Sequence, residues 1–141
     1  MQKETMICLS LDQVVANWQK LSPHLEGAQL GEDYNTEYIQ SQIAKGHIQV
    51  WVIAGDLVVL TQIATVPNGD NIFQVIWAHG DFPDERLAFI FDVFQRFACL
   101  AGCKRIDLRG RTGWTRKLRK LPGVKAEVLL SCPVGATGWE N

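Results

Sequence analysis

Chemically able side chains are densest between residues 104 and 125, where Lys104, Arg105, Arg109, Arg111, Arg116, Lys117, Arg119 and Lys120 crowd together. Within that stretch, Arg109-Gly110-Arg111-Thr112-Gly113-Trp114-Thr115-Arg116 reads as a strand end, a glycine turn and a helix start. A helix start carries N–H groups with no intrahelical acceptor, and glycine lets an anion approach the backbone closely. Arg109, Arg111, Thr112, Gly113, Arg116, Lys117, Arg119 and Lys120 are therefore the candidate contacts for a phosphate, a carboxylate or an acidic partner, with Thr112 placed to cap the helix. The competing reading is a solvated turn with surface arginines. Arg116, Arg119 and Lys120 fall on one helical face and Trp114 offers a stacking surface, which makes nucleic acid a further candidate partner. No recognised nucleic-acid module accompanies them, so docking against the chain's own acidic part or an acidic protein competes with that reading.

The rest of the chain balances this charge. Residues 1–103 hold five basic and twelve acidic side chains, and residues 104–141 hold nine basic and three acidic ones, so a net charge of −1 conceals a split of −7 against +6. Such a split bears on fields and partners rather than on fold. No Walker loop, Gly-x-Ser-x-Gly, HExxH or zinc-finger spacing occurs, and His24, His47 and His79 are too scattered to ligate a metal. Cys8, Cys99, Cys103 and Cys132 show no CxxC spacing and read as reduced thiols used as small apolar residues, in preference to a disulfide or zinc set.

These residues need elements to hold them. At 141 residues the chain is expected to be one domain, here 1–132, with a flexible C-terminal tail over 133–141. No apolar run is long enough for a membrane span and no leader pattern opens the chain, so the expected partners exclude a membrane and the expected compartment is the cytoplasm. Leu11 to Leu21 has helical spacing after the N-cap candidate Ser10, with Pro23 and Gly27 as its stop. Asn35 to Lys45 is a second helix that turns Tyr38, Ile39 and Ile43 inward and ends at Gly46. Three β-rich runs follow, 47–54, 57–66 and 72–78, separated by Gly55-Asp56 and Pro67-Asn68-Gly69-Asp70, both suited to tight antiparallel turns. The middle run is apolar on both sides, with Val58, Leu60 and Ala64 on one and Leu57, Val59 and Ile63 on the other, so it needs helices above and below. Residues 84–102 form the strongest helix, Lys104 to Arg109 a strand reached by a right-handed parallel crossover, Trp114 to Leu121 a short basic helix, and Val124 to Ser131 a closing strand. The fold class is α/β (α+β): a mixed sheet in which an antiparallel meander is followed by a βαβ crossover, with helices on both faces.

That order of elements resembles the core of the GNAT N-acetyltransferases, over roughly residues 11–131. The stretch ACLAGCKRIDLRGRTGWTRKLRKLPGVKAEVLLS is also similar to the C-terminal half of small GNAT-like proteins of tailed phages, which implies a phage or prophage setting, in the host cytoplasm or on the virion. The resemblance implies a loop R/Q-x-x-G-x-G/A after the third meander strand, whose N–H groups cradle the pyrophosphate of acetyl-CoA. Here that place reads WAHGDFPDERLAF, from Trp77 to Phe89. Gly80 alone suits such a cradle, Pro83 removes a donor, and Asp81, Asp84 and Glu85 crowd the helix start. Like charges ~5 Å apart cost a few kcal/mol near a protein surface, whereas a helix start offers an anion about 0.3–1 kcal/mol. The family's usual tyrosine acid is also missing from residues 114–121. The expectation is therefore a catalytically silent GNAT-like protein with no cofactor and no metal, acting through a protein partner or self-association. The alternatives are an active N-acyltransferase using acetyl-CoA, with Gly80 at the cofactor and His79 or Asp81 as base, and a nucleic-acid-binding accessory protein using the basic 104–125 face.

Overall fold

A computed structural model describes residues 6–26, 36–53, 57–79, 84–108, 116, 118–121 and 123–125. Within them, five strands form one sheet in the order β1-β2-β3-β4-β5: β1 Met6–Leu9, β2 Ile48–Ile53, β3 Leu57–Thr65, β4 Asn71–His79 and β5 Cys103–Leu108. Four helices accompany them, α1 Leu11–Ala16, α2 Trp18–Glu26, α3 Thr36–Ala44 and α4 Asp84–Leu100. β1 to β4 pair antiparallel, and β5 joins β4 in parallel after α4. This is the expected meander and crossover, a mixed α+β sheet with helices on both faces. No helix among the described residues is long and apolar enough to cross a membrane.

β3 explains the layering. Val58 and Leu60 belong to one core cluster, with Val14, Leu21, Ile39, Ile43, Ile48 and Val50 from α1, α2, α3 and β2. Leu57 and Val59 belong to the other, with Trp51, Ile53, Phe73, Val75 and the α4 residues Ile90, Phe94 and Ala98. Burial on both faces stops at Thr61, and Ile63, expected in the core, is 38% exposed. On α4, Leu87, Ile90, Phe94 and Ala98 recur at helical spacing and are buried. Phe94 and Phe97 each lie with ring centroids 5.2 Å from Trp51, edge-on, and Phe73 stands 5.2 Å from Phe94. Edge-on pairs add about 0.5–1.5 kcal/mol each beyond their buried area.

Several local expectations are corrected. β1 lacks the alternation that marks a strand and was not anticipated from the sequence. The single helix expected over Leu11–Leu21 is two helices. Ser10 and Gln13 form a capping box that starts α1, and Asn17 ends it by donating through Nδ2 to the Gln13 carbonyl at 2.7 Å, a carbonyl its own N–H also uses at 3.0 Å. Pro23 does not stop the second helix but lies inside α2. The carbonyl its missing N–H leaves without a donor belongs to Gln19, which is exposed to water. Tyr38, expected inward, is 43% exposed, while Ile39 and Ile43 carry the buried stripe of α3. Gly46 ends α3 as expected: at φ 76° it donates to the Ile43 carbonyl while His47 donates to that of Gln42. The basic helix is shorter than expected, since Arg116 and Leu118 are helical but Arg119 and Lys120 form a turn. Val124 and Lys125 belong to no strand; residues 126–141, with the expected closing strand and tail, lie outside the described residues.

Candidate functional site

The irregular part of the sheet is β4. Leu60 of β3 faces Trp77 and its neighbour Thr61 faces Val75, so Ile76 is an extra residue, a β-bulge. Side chains register it directly. Phe73 and Val75 point to the α4 cluster, as alternation requires, but Ile76 and Trp77 both pack against the opposite cluster, and Ala78 returns to the α4 side. The pairing of β4 with β5 is described as far as Val75 opposite Leu108, the last described residue of β5. β4 continues through Ile76, Trp77 and Ala78 to His79, and these residues pair with β3 from Leu60 to Val58. Five positions later α4 begins at Asp84.

A polar chain on β2 and β3 borders the bulge. Thr61 is fully buried on the α4 side. Its Oγ1 accepts from Trp51 Nε1 at 2.9 Å and donates to Gln49 Oε1 at 2.9 Å. Each buried polar atom thus has a partner, which removes the cost of about 1–3 kcal/mol that an unsatisfied one carries. Because Thr61 is the first residue past the register shift, this chain fixes β2 and β3 where β4 departs from regular pairing.

The sequence-derived site residues are only partly brought together. His79 closes β4 opposite Val58, and Gly80 and Asp81 lie outside the described residues. Of the cationic set, Arg116, Arg119 and Lys120 are exposed beside the buried Leu118, whereas Arg109, Arg111, Thr112, Gly113 and Lys117 lie outside the described residues. Among the described residues no three His, Cys, Asp or Glu side chains converge on a point that would hold a metal ion. Sequence reasoning missed Ile76. The run Val75-Ile76-Trp77 was a weak signal, because the same strand already carries the apolar pair Ile72-Phe73, both buried, where no bulge occurs.

No protein-family model matches the sequence, and a search of curated proteins finds no match. Solved structures do match. A GCN5-related N-acetyltransferase from Ralstonia eutropha superposes with a TM-score of 0.65 at 16% identity, over 95% of this chain and 100% of the other. A predicted acetyltransferase from Clostridium acetobutylicum, solved with acetyl-CoA, gives 0.64 at 9% identity, over 94% and 97%. AAC(6')-Iy, solved with the bisubstrate analogue CoA-S-monomethyl-acetylneamine, gives 0.61 at 12% identity, over 94% and 99%. These likenesses establish the fold. They also overturn the expectation of a chain without cofactor, since the last two proteins hold acetyl-CoA or a CoA analogue on this same fold. The charge argument behind that expectation weighed Asp81, Asp84 and Glu85 but left out Arg86, half-buried in the first turn of α4. It also assumed a close, fixed separation, and like charges that swing apart in water at 4 Å or more repel by only about 1 kcal/mol.

Proposed function

We propose that this chain, which has the fold of the GNAT acetyltransferases, is an acyl-CoA-dependent N-acyltransferase whose donor lies along the C-terminal half of β4. The supporting observations are the bulge at Ile76 in β4 and the likeness of the fold to proteins solved with acetyl-CoA or a CoA analogue. A strand edge presents N–H and C=O groups that need partners. The pantetheine arm of CoA is an extended chain with two amides, the complement of such an edge, and strand addition is a general way to bind one. A bulge bends the strand and strengthens its twist, which parts it from the neighbouring parallel strand.

Acetyl-CoA, when bound, supplies an acyl group activated as a thioester. The chain's residues position it and handle the proton. Gly80, the first residue after β4, offers backbone without a Cβ beside the pyrophosphate. His79 or Asp81 accepts the proton of the attacking amine. Exposed Arg116, Arg119 and Lys120 favour an acidic acceptor or protein partner. The reading of a catalytically silent binding protein, in a phage or elsewhere, rested on the lack of a cofactor and loses that ground.

Calorimetry with acetyl-CoA and release of free thiol in the presence of amines test the proposal. Wild type is expected to bind in the micromolar range. A variant lacking Ile76 keeps Val75 on the α4 face and Trp77 on the other, so it folds with a regular β4, and its affinity is expected to fall about tenfold or more, some 1.4 kcal/mol. Absence of binding by wild type to acetyl-CoA and to longer acyl-CoAs would sink the reading.

A further inference from the structure

The other end of the parallel pair carries a second constellation. α4 ends at Leu100, the chain turns through Gly102 at φ 77°, and β5 opens at Cys103. Gly102 donates its N–H to the Cys99 carbonyl at 3.1 Å, so Cys99 and Cys103 flank one tight turn. Both line a single open groove of about 280 Å³, together with Gln95, Ala98, Lys104 and Arg105. Cysteines used as apolar filler would both be buried. Instead Cys99 is exposed, and Cys103 is half-buried against the α4 core cluster. Cys103 pairs with Asn71, the first residue of β4, and the proposed acyl-CoA edge ends at His79, eight positions on. At about 3.3 Å per residue the two places lie on the order of 25 Å apart.

We infer that Cys99 and Cys103 form a dithiol–disulfide couple, a modification site for low-molecular-weight disulfides. The exposed Cys99 thiolate attacks one sulfur of the disulfide, forming a mixed disulfide and releasing one thiolate. Cys103 then loses its proton and attacks the Cys99 sulfur, closing the intramolecular bond and releasing the second thiolate. Two protein thiols are oxidised and the small disulfide is reduced to two thiols, so atoms and electrons balance. The order follows from access. Burial pushes the Cys103 thiol above its ordinary value, which suits the resolving partner over the first nucleophile. The pairing is irregular at this point, since three steps of β5 from Cys103 to Ile106 answer two steps of β4 from Asn71 to Phe73.

The test uses the full chain with Cys8→Ser and Cys132→Ser, treated with glutathione disulfide, alkylated and cut with trypsin. Cleavage at Arg96 and Lys104 frees peptide 97–104 with both cysteines. The expected product is that peptide lighter by two hydrogens, and its disulfide is expected to form at least tenfold faster in the native chain than in the chain unfolded by guanidinium. Adding Cys103→Ser is expected to leave a glutathione adduct on Cys99. Two alkylated thiols, an adduct that persists with Cys103 present, no adduct in the Cys103→Ser variant, or equal rates in native and unfolded chains would each overturn the inference. None of these outcomes depends on acyl-CoA binding.

Discussion

From Asn71 to Val75, β4 is hydrogen-bonded to β3 on one side and β5 on the other, and Phe73 and Val75 are buried against α4. From Ile76 to His79 it remains bonded to β3, and the side-chain alternation has been broken once. The residue types in the two halves are alike, Ile, Phe and Val against Ile, Trp and Ala. Hydrophobicity therefore does not separate the half that holds both neighbouring strands from the half to which we assign the acyl donor. What separates them is the bulge at Ile76, which bends the strand and strengthens its twist beyond that point.

If that division is right, damage to the first half should appear in stability and damage to the second in binding. The largest effect is expected from Phe94→Ala, which empties the space between Trp51 and Phe73. A loss of about 3–5 kcal/mol in urea unfolding is the expected range for a buried phenylalanine, and a loss under about 1 kcal/mol would show that the ring cluster does not hold the paired half. Thr61→Val should cost about 1–3 kcal/mol by stranding Trp51 Nε1 and Gln49. Because Thr61 borders the bulge, this change should also weaken acetyl-CoA binding, and intact binding in a destabilised Thr61→Val protein would uncouple the polar chain from the opening. Gly46→Ala, at a positive φ far along the chain from β4, should cost roughly 1 kcal/mol in thermal or chemical unfolding with no change in affinity. Smallest of all, Asp92→Asn removes the exposed i,i+4 pair with Arg96, 3.1 Å long. It should shift unfolding by less than about 0.5 kcal/mol, and any larger shift would assign that surface of α4 a role the fold does not suggest.

Much of the architecture was legible because it is local. The three meander strands and β5 fall within about two residues of their expected limits, since Gly55, Gly69 and Gly102 punctuate runs whose period is 2 or 3.6. β1 was not legible, because four residues with half-buried ends give no periodic signal. The division of α1 from α2 depends on the Asn17 side chain choosing the Gln13 carbonyl, one of several bonds that Asn makes equally well. The bulge depends on a pairing between residues 60 and 77, a non-local fact with only the Ile76-Trp77 doublet as its local trace. At the site, His79 ends β4 close to where the sequence placed it, while Gly80 and Asp81 lie outside the described residues. The expectation of no cofactor failed because adding charges along a chain says nothing about the distances between them.

The bulge has one more consequence. Adding a single residue to a regular strand inverts every side chain beyond it, whereas Ile76 turns the same way as Trp77 and leaves the sides of Trp77 and Ala78 unchanged. The bulge can therefore be gained or lost by one in-frame codon without redesigning either core. A bulge of this kind is a modular edit to an otherwise conventional sheet, and a lineage could discard it and later recover it while the hydrophobic interior stayed under the same selection throughout.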